Sequence, residues 1–205
     1  TPQYLYYLDS VKSIHAVRIT QLIVISLLLT VMVMLQYFFR AEAFNWLTAI
    51  ILIVLFVLLI FLPGKISAIA YRRICFSTLL VSFIVNLYLN LAFYPSLLHY
   101  QAGSVAAMWI NKTNPDKMPV SQSGDNPDAL AFYLDQPLIN INADGSGAPR
   151  RPFFLLAQTE VITALAARGW HIQPVKTFER YWISRLTPDF LNKATRKNEL
   201  TYSQL

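Results

Sequence analysis

Asp125 and Asp128 offer a pair of carboxylates for acid and base work. They also flank a helix start, with Asn126 as cap and Pro127 as first helical residue, where unsatisfied N–H groups and the helix dipole favour negative charge. Capping accounts for both, so neither is assigned a catalytic role, and no catalytic residue is assigned elsewhere. His15, His99 and His171 are far apart, with no cysteine or carboxylate at ligand spacing, and indicate no metal site. His99, at the exit from an apolar segment, is the most interesting of the three. The run Asp144-Gly145-Ser146-Gly147 lacks the Lys-Ser/Thr pair of a phosphate-cradling loop and reads as a flexible loop. Asn111-Lys112-Thr113 fits a glycosylation pattern too common to carry weight. The single cysteine, Cys75, excludes a disulfide within the chain.

The elements that would position these groups are dominated by three uncharged stretches, at about 19–39, 43–63 and 74–95. A helical span needs about 20 apolar residues, because backbone N–H and C=O groups in hydrocarbon must be satisfied within the segment. Three consecutive helices apolar on every face do not suit a soluble core, whose surface helices are amphipathic. Asn86 and Asn90, one turn apart in the third stretch, are expected to bond to a neighbouring helix.

Charge divides the chain near residue 100. Residues 1–100 carry six basic and two acidic side chains, and residues 101–205 carry eleven and nine. The net charge of +6 is therefore concentrated beside the spans, where it reports topology and not nucleic acid. Lys12, Arg18, Lys65, Arg72 and Arg73 on one side against Arg40 on the other put the C-terminal domain outside the cytoplasm. Tyr37, Phe38, Phe39, Phe44, Trp46, Phe93 and Tyr94 form an aromatic belt at that outer face. The expected architecture is a membrane α-helical segment with three transmembrane helices, residues 1–100, followed by a small extracytoplasmic α/β domain, residues 101–205.

Within that domain, Pro95 is expected to end the third span. Leu98, Ala102, Val105 and Trp109 then mark a helix. Strands are expected at 118–121, 137–141, 153–157, 170–175 and 181–186. Further helices fall at 129–134 and 160–168, the latter capped by Thr159 and stopped by Gly169. The opening Thr1-Pro2-Gln3-Tyr4, with no initiator Met or signal sequence, reads as the middle of a longer polypeptide, making the chain a C-terminal fragment.

The run Asn86-Leu-Tyr-Leu-Asn-Leu-Ala-Phe-Tyr-Pro-Ser-Leu-Leu-His-Tyr-Gln-Ala-Gly-Ser104 resembles the last span and following periplasmic helix of bacterial GT-C glycosyltransferases of the aminoarabinose-transferase and protein mannosyltransferase type. The tail Tyr181-Trp-Ile-Ser-Arg-Leu-Thr-Pro-Asp-Phe-Leu-Asn-Lys-Ala-Thr-Arg196 is similar to their closing strand, and Ala131-Phe-Tyr-Leu-Asp-Gln-Pro137 to their middle helix-strand junction. Pro2-Gln3-Tyr4 looks like their Pro-His-Tyr motif with Gln3 in place of His. The resemblance implies a multispan enzyme of the bacterial inner membrane. It would move a sugar from a polyprenyl-phosphate donor to a lipid or protein acceptor on the periplasmic face. Its acidic catalytic loop would lie in N-terminal transmembrane helices outside this chain, which by itself would be inactive. Cofactor-binding residues and any divalent metal stay unassigned. The alternative is a non-enzymatic membrane-anchored binding or assembly module; a sensor lacks an output domain here.

Overall fold

Long uncharged runs of apolar residues set the first half of the molecule. The computed structural model describes residues 11–66, 70–124 and 128–205. Pro2-Gln3-Tyr4 and the segment Asp125, Asn126 and Pro127 lie outside the described residues. The chain divides into two units, the first ending at Ser96 and the second running Leu97–Leu205.

The first unit holds α1 (Val11–Phe39), α2 (Trp46–Ile66) and α3 (Ala70–Tyr88). Three segments are long and apolar enough to cross a membrane: Ile14–Phe39, Trp46–Pro63 and Tyr71–Leu98. Their boundaries differ from expectation for local reasons. Asn45 Oδ1 accepts from Thr48 N (2.9 Å) and Thr48 Oγ1 (3.1 Å), so α2 starts only after this cap. The third segment does not stop at Pro95. A π-helical turn (Leu89–Phe93) widens the spiral, Tyr94 N bonds to Leu89 O, and α4 (Tyr94–Leu98) continues. Pro95 has no N–H and its ring crowds the carbonyl one turn back, and the wider turn just before it accommodates that defect.

The expectation for Asn86 and Asn90 is corrected here. Both side chains are exposed, and Asn90 Nδ2 donates to Asn86 O (2.8 Å) in its own helix. The polar links between helices come from residues the sequence reading passed over. Gln21 Nε2 donates to Ile74 O (2.7 Å) and Thr78 Oγ1 (3.1 Å), and the Tyr88 hydroxyl donates to Gln36 Oε1 (3.2 Å). Amides within apolar helices bond across to a neighbour for want of water.

The second unit is a mixed α/β layer structure. After α5 (Ala102–Thr113) come β1 (Val120–Ser123), α6 (Asp128–Tyr133), β2 (Leu138–Asn140), β3 (Phe154–Gln158), α7 (Thr159–Ala167), β4 (Thr177–Arg180), α8 (Pro188–Leu191), a 3₁₀ turn (Arg196–Asn198) and β5 (Thr201–Gln204). The sheet order is β2-β1-β3-β5-β4, with β1 parallel to β2 and β3, and β5 antiparallel to β3 and β4. Ala102, Ala106, Ala107 and Ile110 of α5 pack on Val120, Leu130, Leu156, Phe178 and Leu205 to form the core.

The strands expected at 170–175 and 181–186 are replaced by β4 and β5. Gly169 does end α7, with φ +88, as Trp170 N closes back on Leu165 O (3.2 Å). Trp170 is then drawn edge-on to Phe153 (6.2 Å), and β4 begins at Thr177, just after Val175 N and Lys176 N bond to Leu205 O. Tyr181 leaves the ladder because its hydroxyl closes a turn, donating to Arg185 O (2.6 Å) and accepting from Thr187 N (3.1 Å). Thr159 is not the cap of α7: Gln158 holds the cap position without a side-chain bond, and Thr159 Oγ1 donates to Tyr202 O (3.3 Å).

Candidate functional site

The chemistry-bearing residues singled out above do not converge. His15, His99 and His171 are exposed on α1, beyond α4 and beyond α7, and among the described residues no group of three or more His, Cys, Asp or Glu is close enough to hold a metal. Cys75 is exposed on α3. Asp128 opens α6, while its partner Asp125 lies outside the described residues. Asn111 is structural: its Nδ2 donates to Tyr133 O (2.8 Å) and its Oδ1 accepts from Asp135 N (3.1 Å), tying α5 to the end of α6.

The loop at 144–147 closes on itself as a hydrogen-bonded turn. Asp144 Oδ1 accepts from Ser146 N (2.9 Å), Asn142 N donates to Ser146 O (3.1 Å), and Asn142 Nδ2 donates to Ser146 Oγ (2.6 Å). The Ser146 backbone N–H, followed by its hydroxyl, holds the Asp144 carboxyl below its ordinary value. A carboxylate favoured in the fold supports it above the unfolded pKa, and that support fades as pH falls through the lowered value.

What sequence reading missed is a row of polar side chains inside the sheet. All four residues of β1, Val-Ser-Gln-Ser, are buried. Ser121 Oγ, Gln122 Oε1 and Ser123 Oγ are enclosed without a hydrogen-bond partner. Gln122 shares the face of Val120 and its register partner Leu156, whereas Ser121 and Ser123 take the opposite face by strand alternation. The signal was present, since Ser-Gln-Ser continues a short extended run. Burial of that run follows from the central place of β1, which no local pattern announces.

Chain order reverses at β1: its successor β2 pairs on one side and β3 on the other. In open α/β sheets, ligands collect beyond the carboxyl ends of strands at such a switch. Ser123 and Gly124 stand there, Gly124 with φ +79 and its pro-Cβ direction 3.5 Å from Val161 Cγ2 of α7. Hydroxyl and amide groups of this kind can bind polar ligands but do not by themselves act as a general base. Replacing Ser121 or Ser123 with alanine should therefore leave folding stability unchanged or raise it by up to about 1 kcal/mol, since an unpaired buried hydroxyl is lost. Urea unfolding measures this; a loss above about 1 kcal/mol would mean that the hydroxyl is satisfied.

At the far end of the same unit, two distant stretches of chain meet. Tyr181 N donates to Tyr100 O (2.9 Å), and the Tyr181 ring stacks on Phe190 (3.6 Å, 11°). Arg196 Nε donates to Phe190 O (2.9 Å) and Nη1 to the Tyr100 hydroxyl (2.8 Å). Its guanidinium lies 5.3 Å from the Tyr100 ring centre and 5.5 Å from that of Phe190.

In the first unit, α1 and α3 leave between them a groove of about 460 Å³, lined by Thr20, Gln21, Val24, Leu28, Thr78 and Ser82 among others. Its walls are chiefly apolar, with the bonded Gln21 amide as the polar point. Comparison with protein-family models, with curated proteins and with solved structures found no match.

Proposed function

We propose that this chain is the C-terminal portion of an integral-membrane glycosyltransferase of the GT-C type. In this reading it moves sugar from a polyprenyl-phosphate donor to a lipid or protein acceptor outside the cytoplasm of a bacterium. The observation that carries the reading is the junction of Tyr100, Tyr181, Phe190 and Arg196. The two longest runs that resemble those enzymes, at 86–104 and 181–196, are joined there by hydrogen bonds and ring stacking. Three helices of span length ahead of a small α/β unit suit a lipid-linked donor, whose tail needs the bilayer and whose sugar needs water. Among its described residues the second unit offers hydroxyl and amide groups at the end of β1, which suit binding, and in this reading the chemistry belongs to an acidic loop outside this chain.

The test has two readings in one preparation. A cysteine at exposed Ser146, as Ser146→Cys, should react with an impermeant thiol reagent in intact spheroplasts. Membranes containing the intact gene product should transfer label from radiolabelled polyprenyl-phosphate sugars, and residues 1–205 alone should not. Reaction at position 146 only after lysis reverses the topology. Absence of transfer with every donor, despite outside labelling, favours a membrane-anchored binding or assembly module.

A further inference from the structure

Trp182 is 62 % exposed, although the chain around it is fixed. Its neighbour Tyr181 is bonded through the backbone to Tyr100, through its hydroxyl to Arg185 O and Thr187 N, and through its ring to Phe190. Residues 181–187 therefore form a closed loop that presents its indole outward. The Arg185 guanidinium lies 5.0 Å over the Trp182 ring, and Leu186 beside it is also exposed. The loop is tied at Tyr181 and Thr187, and it leaves the Trp182 indole and the Leu186 side chain outside as apolar surface that a partner could cover.

The place of the loop names that partner. Tyr100, to which the loop is bonded, follows by two residues the end of the third candidate span at Leu98. At most about 7 Å of chain separates them. Trp is the residue type that settles at the boundary between headgroups and hydrocarbon, and Arg is the type that lays its stem on apolar surface while its charge reaches lipid phosphate. We propose that the Trp182–Arg185 pair is an interfacial anchor, seating the indole at the headgroup level of the leaflet from which the third span emerges. The inference rests on the three apolar helices being membrane spans, and the test separates the two.

The full chain is reconstituted in nanodiscs of phosphatidylcholine with phosphatidylglycerol, and tryptophan emission is compared with that of Trp182→Phe, so that the difference reports Trp182. Trp182→Tyr, carried in parallel with a thermal midpoint for each variant, guards against a misfolded reference. Lipids bearing a nitroxide at the headgroup or shallow acyl carbons should remove about half or more of the Trp182 signal, as contact at the interface requires. Aqueous iodide should have little effect on it. A Trp46→Phe difference, reporting the exposed indole that opens α2, serves as the membrane control. Lipid quenching of Trp46 with iodide quenching of Trp182 overturns the anchor alone. Trp182 shielded from both quenchers overturns it in favour of a protein partner. No lipid quenching of either residue overturns the span reading and the anchor with it.

Discussion

Arg196→Ala should lower the stability of the second unit by about 3–5 kcal/mol, from two buried hydrogen bonds made by a charged group at about 1.5–3 kcal/mol each. Arg196 is only 5 % exposed, and it is the bridge between the exit of the third span and the C-terminal segment. Its removal takes one hydrogen bond from Phe190 O and one from the Tyr100 hydroxyl. It also takes away the cation that lies against two aromatic faces. Arg196→Lys should recover less than half of the loss, because a single ammonium cannot reproduce the planar fork that reaches both acceptors. Guanidinium unfolding of the detergent-solubilised protein, followed by tryptophan emission, measures the effect. A loss under about 1 kcal/mol for the alanine variant would show that the tail is held by something else.

Gly145→Ala should cost about 2–4 kcal/mol, the sum of a left-handed backbone forced on an L side chain and of overpacking. Gly145 has φ +87, and a Cβ there would run into Trp170 Cζ2 and stand 2.9 Å from Trp170 Cε2 and 3.2 Å from Leu165 Cδ2. The indole cannot retreat freely, since its ring meets Phe153 edge-on at 6.2 Å. The contact part of the loss can be separated from the backbone part with Trp170→Leu. The double variant should be more stable than the sum of the single losses predicts, by about 1 kcal/mol, as expected of residues in contact. Additive losses would assign the whole effect to the backbone. Thermal unfolding of the four proteins decides between them.

The parts of the fold that were legible are those whose causes are local. Three apolar helices follow from runs too long and too uniform for any other way of satisfying a backbone in hydrocarbon. Gly169 stops α7 because the φ required there suits glycine. The start of α2 has a local cause of the same kind, Asn45 capping the helix three positions before Thr48. β4 and β5 were not legible. Thr177-Phe-Glu-Arg180 and Thr201-Tyr-Ser-Gln204 become strands because they pair with each other across 20 residues and more, while the more apolar 170–175 meets that ladder at its end, where Val175 N donates to Leu205 O. The site was hidden for a related reason. Ser121, Gln122 and Ser123 look like solvent-facing residues until a strand is seen on each side of them. Arg196 is likewise one basic residue among several in its segment, and its burial depends on Tyr100, almost a hundred positions away.

The sheet order also sets a sequence of events in time. β5, the last strand made, lies between β3 and β4, and β4 pairs with β5 alone. On the ribosome, Thr177–Arg180 emerges before β5, its neighbour in the ladder, and the β3 edge, made earlier, waits longer still. The parallel pairs of β1 with β2 and β3 can assemble during synthesis, but the antiparallel half must await the residues up to 204. Long-range closure of this kind is slow, and the waiting edge is open to other chains meanwhile. A nascent chain stalled before residue 201 would thus carry a half-built sheet, the state in which a chaperone would find it.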